Sequence, residues 1–123
     1  MSSEKLPMFE GQKYICLETF KKNGQGVQTP VWFVVSDGII YVTTMDSSWK
    51  VKRLKNNTSI RIVPSNFKGK PNGQWVEGQA FFGNESELKL AMSLRNKKYG
   101  LIARLFGMFV SKKGKVAVIR IKI

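Results

Sequence analysis

Histidine is absent from this chain, and cysteine occurs once, as Cys16. Without histidine there is no Ser-His-Asp or Cys-His nucleophilic triad. A zinc or iron site is poorly served as well, because one thiol cannot supply the soft ligand set. The lone cysteine has no internal disulfide partner. Long apolar runs are also missing, and none approaches the roughly 20 residues of a membrane-crossing helix. The N-terminal stretch to Glu10 is polar and interrupted by Pro7, without the apolar centre of a secretory signal. These absences point to the cytoplasm. They also imply that any enzymatic chemistry comes from a cofactor or a substrate group.

Acidic residues are the next scarcity: 8 Asp+Glu stand against 21 Lys+Arg, for a net charge of +13. None follows Glu87, whereas ten basic residues lie between Lys89 and Lys122. Such an excess signals an anionic partner, either nucleic acid or a phosphorylated coenzyme. What is present in quantity is core material, 42% hydrophobic and 11% aromatic residues in 123 positions. That is enough for one hydrophobic core, and residues 1–123 are expected to form a single domain.

The pattern reads as short strands separated by turn signals. Residues 14–20 form a strand ended by a Gly24-Gln25-Gly26 turn, and 29–35 form the next, with Pro30 at its start, where a missing N–H is tolerated. Ser36-Asp37-Gly38 is a hairpin signal, returning as a third strand over 39–44. Ser47 or Ser48 caps a short helix over 50–57, and 59–64 and 74–82 are the fourth and fifth strands. Gly78 inside the fifth marks a bulge or a close backbone approach. Asn84 caps a second helix, with Leu88, Met92 and Arg95 on one face, Leu90 and Leu94 on another, and Gly100 ending it. Residues 101–110 are apolar and suit a short interfacial helix. The last strand alternates, with Ala117, Ile119, Ile121 and Ile123 inward and Arg120 and Lys122 outward. Six strands with one long, late helix exclude a repeating βαβ design and fit a small barrel.

The stretch from Tyr41 to Leu54 carries the chemistry of most interest. Thr43 and Thr44 end a strand, Ser47 and Ser48 open a helix, and Lys50, Lys52 and Arg53 follow at once. Helix N-terminal amides, hydroxyls and cations suit a phosphate monoester. An ordinary serine cap followed by a solvated basic helix has the same composition. Cys16, mid-strand, reads as a small core residue, and Glu85 and Glu87 as helix-start charges. Phe81-Phe82 and residues 106–109 read as core and dimer contact.

Thr29-Pro30-Val31-Trp32, residues 50–57, Trp75-Val76-Glu77-Gly78, residues 97–101 and Arg104-Leu105-Phe106 occur in an order and spacing that resemble a known family. From about Tyr14 to Ile123 the chain is similar to the pyridoxamine-phosphate-oxidase-like, FMN-binding split-barrel superfamily. Within it, the similarity is greatest to the small probable coenzyme F-420 (deazaflavin) dependent reductases. The resemblance implies a mainly β flavoprotein, a six-stranded split β-barrel with one or two flanking helices. It also implies a homodimer with two coenzymes at the subunit interface, acting as an oxidoreductase on a small-molecule substrate. By position, Thr43, Thr44, Ser48 and Lys50 would hold the phosphate end, with Lys52 and Arg53 beside it. Pro30, Val31 and Trp32 would run along the ring system, and Trp75 would close the site. One position departs from the pattern: Trp49 stands where the family often has glycine, before the lysine matched by Lys50.

The resemblance leaves FMN and the deazaflavin open as cofactor, assigns no catalytic residue and implies no metal. The +13 charge favours the deazaflavin, whose acidic oligoglutamate tail suits a basic groove. Two other functions fit the composition. One is a barrel binding single-stranded nucleic acid, with Trp32, Phe33, Phe67 and Trp75 among basic residues. The other is a flavin carrier without turnover.

Overall fold

The computed structural model describes residues 2–100 and 115–123, with side chains described from Lys5 onward. A 3₁₀ helix over Ser2–Phe9 leads into β1 (Tyr14–Phe20), β2 (Gly26–Val31), β3 (Val34–Ser36) and β4 (Ile39–Met45). Then follow α1 (Trp49–Asn56), β5 (Ser59–Ser65), β6 (Val76–Phe82), α2 (Glu85–Tyr99) and β7 (Val116–Lys122). All the pairings are antiparallel, in a sheet of order β2-β1-β5-β6-β7-β4-β3.

The sheet has seven strands where the residue pattern predicts six. The second predicted strand, 29–35, is two: pairing with β1 ends at Val31, and pairing with β4 begins at Val34. Trp32 and Phe33 form the corner between them. Sequence periodicity misses this break because the hydrophobic run is unbroken across it. β2 and β3 are the two edges, so no ladder closes the barrel. The β3–β4 hairpin is as expected, with Asp37 at φ 50° and Gly38 at φ 77°, the left-handed pair that matches strand twist.

Ile15, Leu17, Ile40, Val42, Ile60, Ile62, Ile119 and Ile121 fill the barrel from alternate strand positions. Phe9 joins them at 1% exposure, so the N-terminal segment, polar in sequence, plugs the core with one ring. Helix α1 adds Leu54 to that core. A second cluster of Val34, Tyr41, Ala91 and Val118 lies on the other face of β4 and β7, under α2. Ala91 is the contact residue of α2, with Leu88 and Leu94 packed beside it. The expected Leu88–Met92–Arg95 face is therefore shifted, and Leu90 is 40% exposed. Asn84 and Glu87 form a reciprocal capping box at the start of α2.

In β7, Ile119 and Ile121 are buried as expected, and so is Ile123 just beyond it. Ala117 shares their face but is only half-buried, opposite Thr44 at the barrel end. Phe81 and Phe82 are 45% and 43% exposed, which corrects their assignment to the core. At Gly78 a Cβ would lie 2.5 Å from the Lys122 carbonyl oxygen, so the strands approach too closely for any side chain. The apolar stretch 101–110 lies outside the described residues. Among the described residues no helix is long and apolar enough to cross a membrane.

Candidate functional site

Thr43 and Thr44, adjacent in β4, project to opposite faces of the sheet. Thr43 opposes Val118 on the α2 side, and its hydroxyl oxygen accepts from Arg95 Nη1 at 3.4 Å. Thr44 opposes Ala117 on the core face, at the barrel end from which the chain turns into α1. The sequence reading pairs these hydroxyls, whereas the pleat separates them.

Ser48 is the N-cap of α1, in extended conformation, and its hydroxyl oxygen accepts from the Val51 N–H at 3.4 Å. Two basic side chains follow in positions partly shielded from water. Arg53 donates from Nε to Thr19 Oγ1 at 2.6 Å, crossing from α1 to β1. Lys50 is half-buried, and burial, reinforced by the Arg53 charge, pushes its pKa down. Burial alone lowers that of Arg53. Among the described residues the ion pairs are Arg61–Glu18 and Arg120–Glu87, so neither Lys50 nor Arg53 has a carboxylate partner. Two cations partly withdrawn from water and repelling each other form a place where an anion is favourable. Lys52 points elsewhere: its ammonium lies 4.4 Å from the centroid of Trp49, which is 71% exposed. Trp49 is thus folded outward and does not narrow the α1 end.

Pro30 and Val31 are half-buried at the end of the edge strand β2, and Trp32 follows at the corner. The Trp32 ring stacks on Tyr99 of α2, with centroids 4.2 Å apart and planes at 8°. Tyr99 ties the corner down through its hydroxyl, which donates to the Lys13 carbonyl at 2.6 Å and accepts from the Phe33 N–H at 3.1 Å. Burial raises its pKa to about 12. The Lys98 side chain is largely exposed, but its ammonium is tucked 3.6 Å from the Phe33 ring centroid and donates to the Phe33 carbonyl at 2.9 Å. Desolvation there brings its pKa down to about 8. Trp75 precedes β6 and lies under the Arg61 guanidinium, 4.9 Å from its ring centroid.

The structure therefore brings Ser48, Lys50 and Arg53 together on α1, and separately joins Trp32 and Thr43 through α2. Sequence reasoning placed three residues at the second place in no site: Arg95, Lys98 and Tyr99, the last two noted only within the 97–101 motif. Arg95 stands on the α2 face read from spacing, but only the fold shows its guanidinium turned inward. The larger hollows of the described surface lie elsewhere, about 500 Å³ beside Phe82 and Leu88 and about 380 Å³ beside Arg61 and Glu77. Neither includes a coenzyme-site residue read from sequence. Cys16 is 1% exposed and its thiol pKa is raised by burial and then by Glu18, as suits an inert core residue.

No family model and no curated protein matches this sequence. Solved structures do match its fold. HutZ, the heme storage protein from Vibrio cholerae, superposes with a TM-score of 0.71 at 16% identity, covering 97% of this chain and 87% of that one. A FAD-binding protein from Mesorhizobium loti gives 0.67 at 16% identity, over 100% and 87% of the two chains. A candidate pyridoxamine 5'-phosphate oxidase from Listeria innocua gives 0.62 at 12% identity, over 98% and 90%. At these identities the likeness establishes the fold alone. The chain has the split-barrel fold of the pyridoxamine-phosphate-oxidase-like proteins, built as an open seven-stranded sheet.

Proposed function

We propose that the chain is a single-domain oxidoreductase that binds a flavin-type coenzyme as a homodimer, with the deazaflavin F-420 preferred and FMN the alternative. The observation that carries this reading is the α1 end of the barrel. Lys50 and Arg53 are partly desolvated, close enough to repel, and without a carboxylate, which fits a phosphate of the coenzyme. Thr44 and the amides behind Ser48 lie at the same end, while Pro30, Val31 and Trp32 supply an apolar edge for a ring system. When bound, such a coenzyme supplies the ring that exchanges a hydride with a small organic substrate. The chain supplies anchoring, orientation and exclusion of water. Trp75 closes the site from the second copy. The absence of histidine disfavours a heme reading, since the commonest proximal iron ligand has no counterpart here.

The test is an absorbance titration with FMN and with F-420, each at low and high salt. Lys50→Ala is expected to weaken binding by about 1.5–3 kcal/mol, the worth of a charge-assisted hydrogen bond. F-420 affinity should fall with salt more than FMN affinity, because an exposed acidic tail is screened over about 8–10 Å. Undiminished coenzyme binding by Lys50→Ala moves the phosphate elsewhere. Tight FMN binding with no F-420 binding leaves an FMN enzyme or carrier, which turnover distinguishes. The nucleic-acid alternative loses support from the fold: Phe33 is 2% exposed inside the core and Trp32 is already stacked on Tyr99. Only Phe67, 64% exposed, keeps the character of a free stacking platform.

A further inference from the structure

Arg95 is 8% exposed, yet most of its hydrogen-bonding capacity is unused. Nη1 donates to Thr43 Oγ1, while Nε and Nη2 are buried with no partner among the described residues. Arginine stays charged in proteins, so the fold holds a nearly dry cation whose charge is unanswered. Desolvation lowers its pKa. Withdrawing such an ion from water costs several kcal/mol unless a counter-charge and hydrogen bonds offset it.

The chain has little to offer as counter-charge. Glu18 and Glu87 are engaged with Arg61 and Arg120, and residues 101–114 contain no Asp or Glu. The free nitrogens are also the right pair. Nε–H and one Nη2–H lie parallel along one edge of the planar guanidinium, the side-on fork that takes both oxygens of a carboxylate. Arg95 borders a cavity of about 10 Å³ with Trp32, Val34, Tyr41, Thr43 and Ala91. By that measure a single water needs roughly 10–15 Å³, so the closed cavity holds one oxygen-sized group at most, and a planar carboxylate needs less opening of the wall than a tetrahedral phosphate.

We infer that the Nε–Nη2 edge of Arg95 is a receptor for the carboxylate of a small-molecule substrate, whose apolar body lies against Trp32. Both nitrogens are closed from water in the empty protein, so entry requires the Trp32 wall to open. As a substrate site the assignment rests on the coenzyme reading above; as a carboxylate site it stands on the geometry of Arg95.

Acetate and benzoate are the probes, titrated against the full chain at constant ionic strength set with chloride, following arginine Nε–H signals by NMR. One Nε–H resonance should shift saturably with carboxylate and not with chloride. Affinity should fall about ten- to a hundredfold in Arg95→Met and stay low in Arg95→Lys, which keeps the charge but not the fork. Without ligand, Arg95→Met should resist urea at least as well as the parent, because a well-packed apolar replacement removes an unpaired buried charge. Equal carboxylate affinity in parent and Arg95→Met overturns the proposal, as does a parent that gives no saturable shift. Rescue by Arg95→Lys overturns it in favour of a generic cation. A fall in light-scattering mass on Arg95→Met also overturns it, since a carboxylate of a second copy would then be the occupant. Coenzyme titration of the parent is the separate arm: failure there with carboxylate binding intact removes the redox reading and leaves the receptor.

Discussion

Replacing Tyr99 by phenylalanine removes one oxygen and no ring. That oxygen accepts the N–H of Phe33, donates to the carbonyl of Lys13, and so joins α2, the β2–β3 corner and the approach to β1. Phe33 is 2% exposed, so water cannot readily replace the lost partner of its amide. Two hydrogen bonds at about 0.5–1.5 kcal/mol net each give an expected loss of about 1–3 kcal/mol. The stacked pair with Trp32 survives in phenylalanine. Tyr99→Leu should therefore cost about 0.5–1.5 kcal/mol more, the separate worth of an aromatic pair. Urea unfolding followed by circular dichroism measures both, provided the slope with denaturant is unchanged. The pH dependence carries a second signature. The phenol is held neutral, with its pKa raised from 10 to about 12, so its stabilisation is complete below pH 10 and is lost as pH rises towards 12. Tyr99→Phe should lack that part of the alkaline decline. A change under about 0.5 kcal/mol, the scale of an ordinary surface substitution, would refute the idea that this hydroxyl latches the corner.

Gly78→Ala should destabilise by about 1–3 kcal/mol through overpacking against the Lys122 carbonyl, and hydrogen exchange should localise the loss to β6 and β7. Cys16 should stay unmodified by a thiol reagent in the native protein and react in urea, because its thiol is buried and its pKa raised. Lys98, with a pKa of about 8, should be acylated ahead of the other exposed lysines when limiting anhydride is added at pH 8, as peptide mass spectrometry would read. Light scattering at micromolar concentration with coenzyme present should give the dimer mass, and a monomer mass there would count against the shared site.

The strand pattern was legible where runs of strand-forming residues lie between turn signals: β1 runs from Tyr14 to Phe20 and β5 begins at Ser59, as the residue pattern indicates. The Asp37-Gly38 turn and the Asn84 cap were readable because short-range backbone chemistry decides both. The corner at Trp32-Phe33 was not, since what breaks the ladder there is a change of partner strand, a long-range event. The site divided along the same line. Ser48, Lys50 and Arg53 are close in sequence, so one helix gathers them. Thr43 and Arg95 meet across 52 positions, and no local signal announces that meeting.

The two edges of the sheet, β2 and β3, are consecutive in the chain and only two residues apart. The ring of strands is thus closed by covalent bonds at a corner, where a sealed barrel would be closed by a ladder. Helix α2 takes over the work of the missing rungs: the Tyr99 hydroxyl serves the amide of Phe33, and the Lys98 ammonium serves its carbonyl. A seam held by side chains can be released one group at a time, by a change of protonation or by a guest that displaces a ring. A seam of backbone hydrogen bonds would have to unzip. The barrel can therefore gape at Trp32 while every strand keeps its register, which makes the corner a hinge whose stiffness is set by α2.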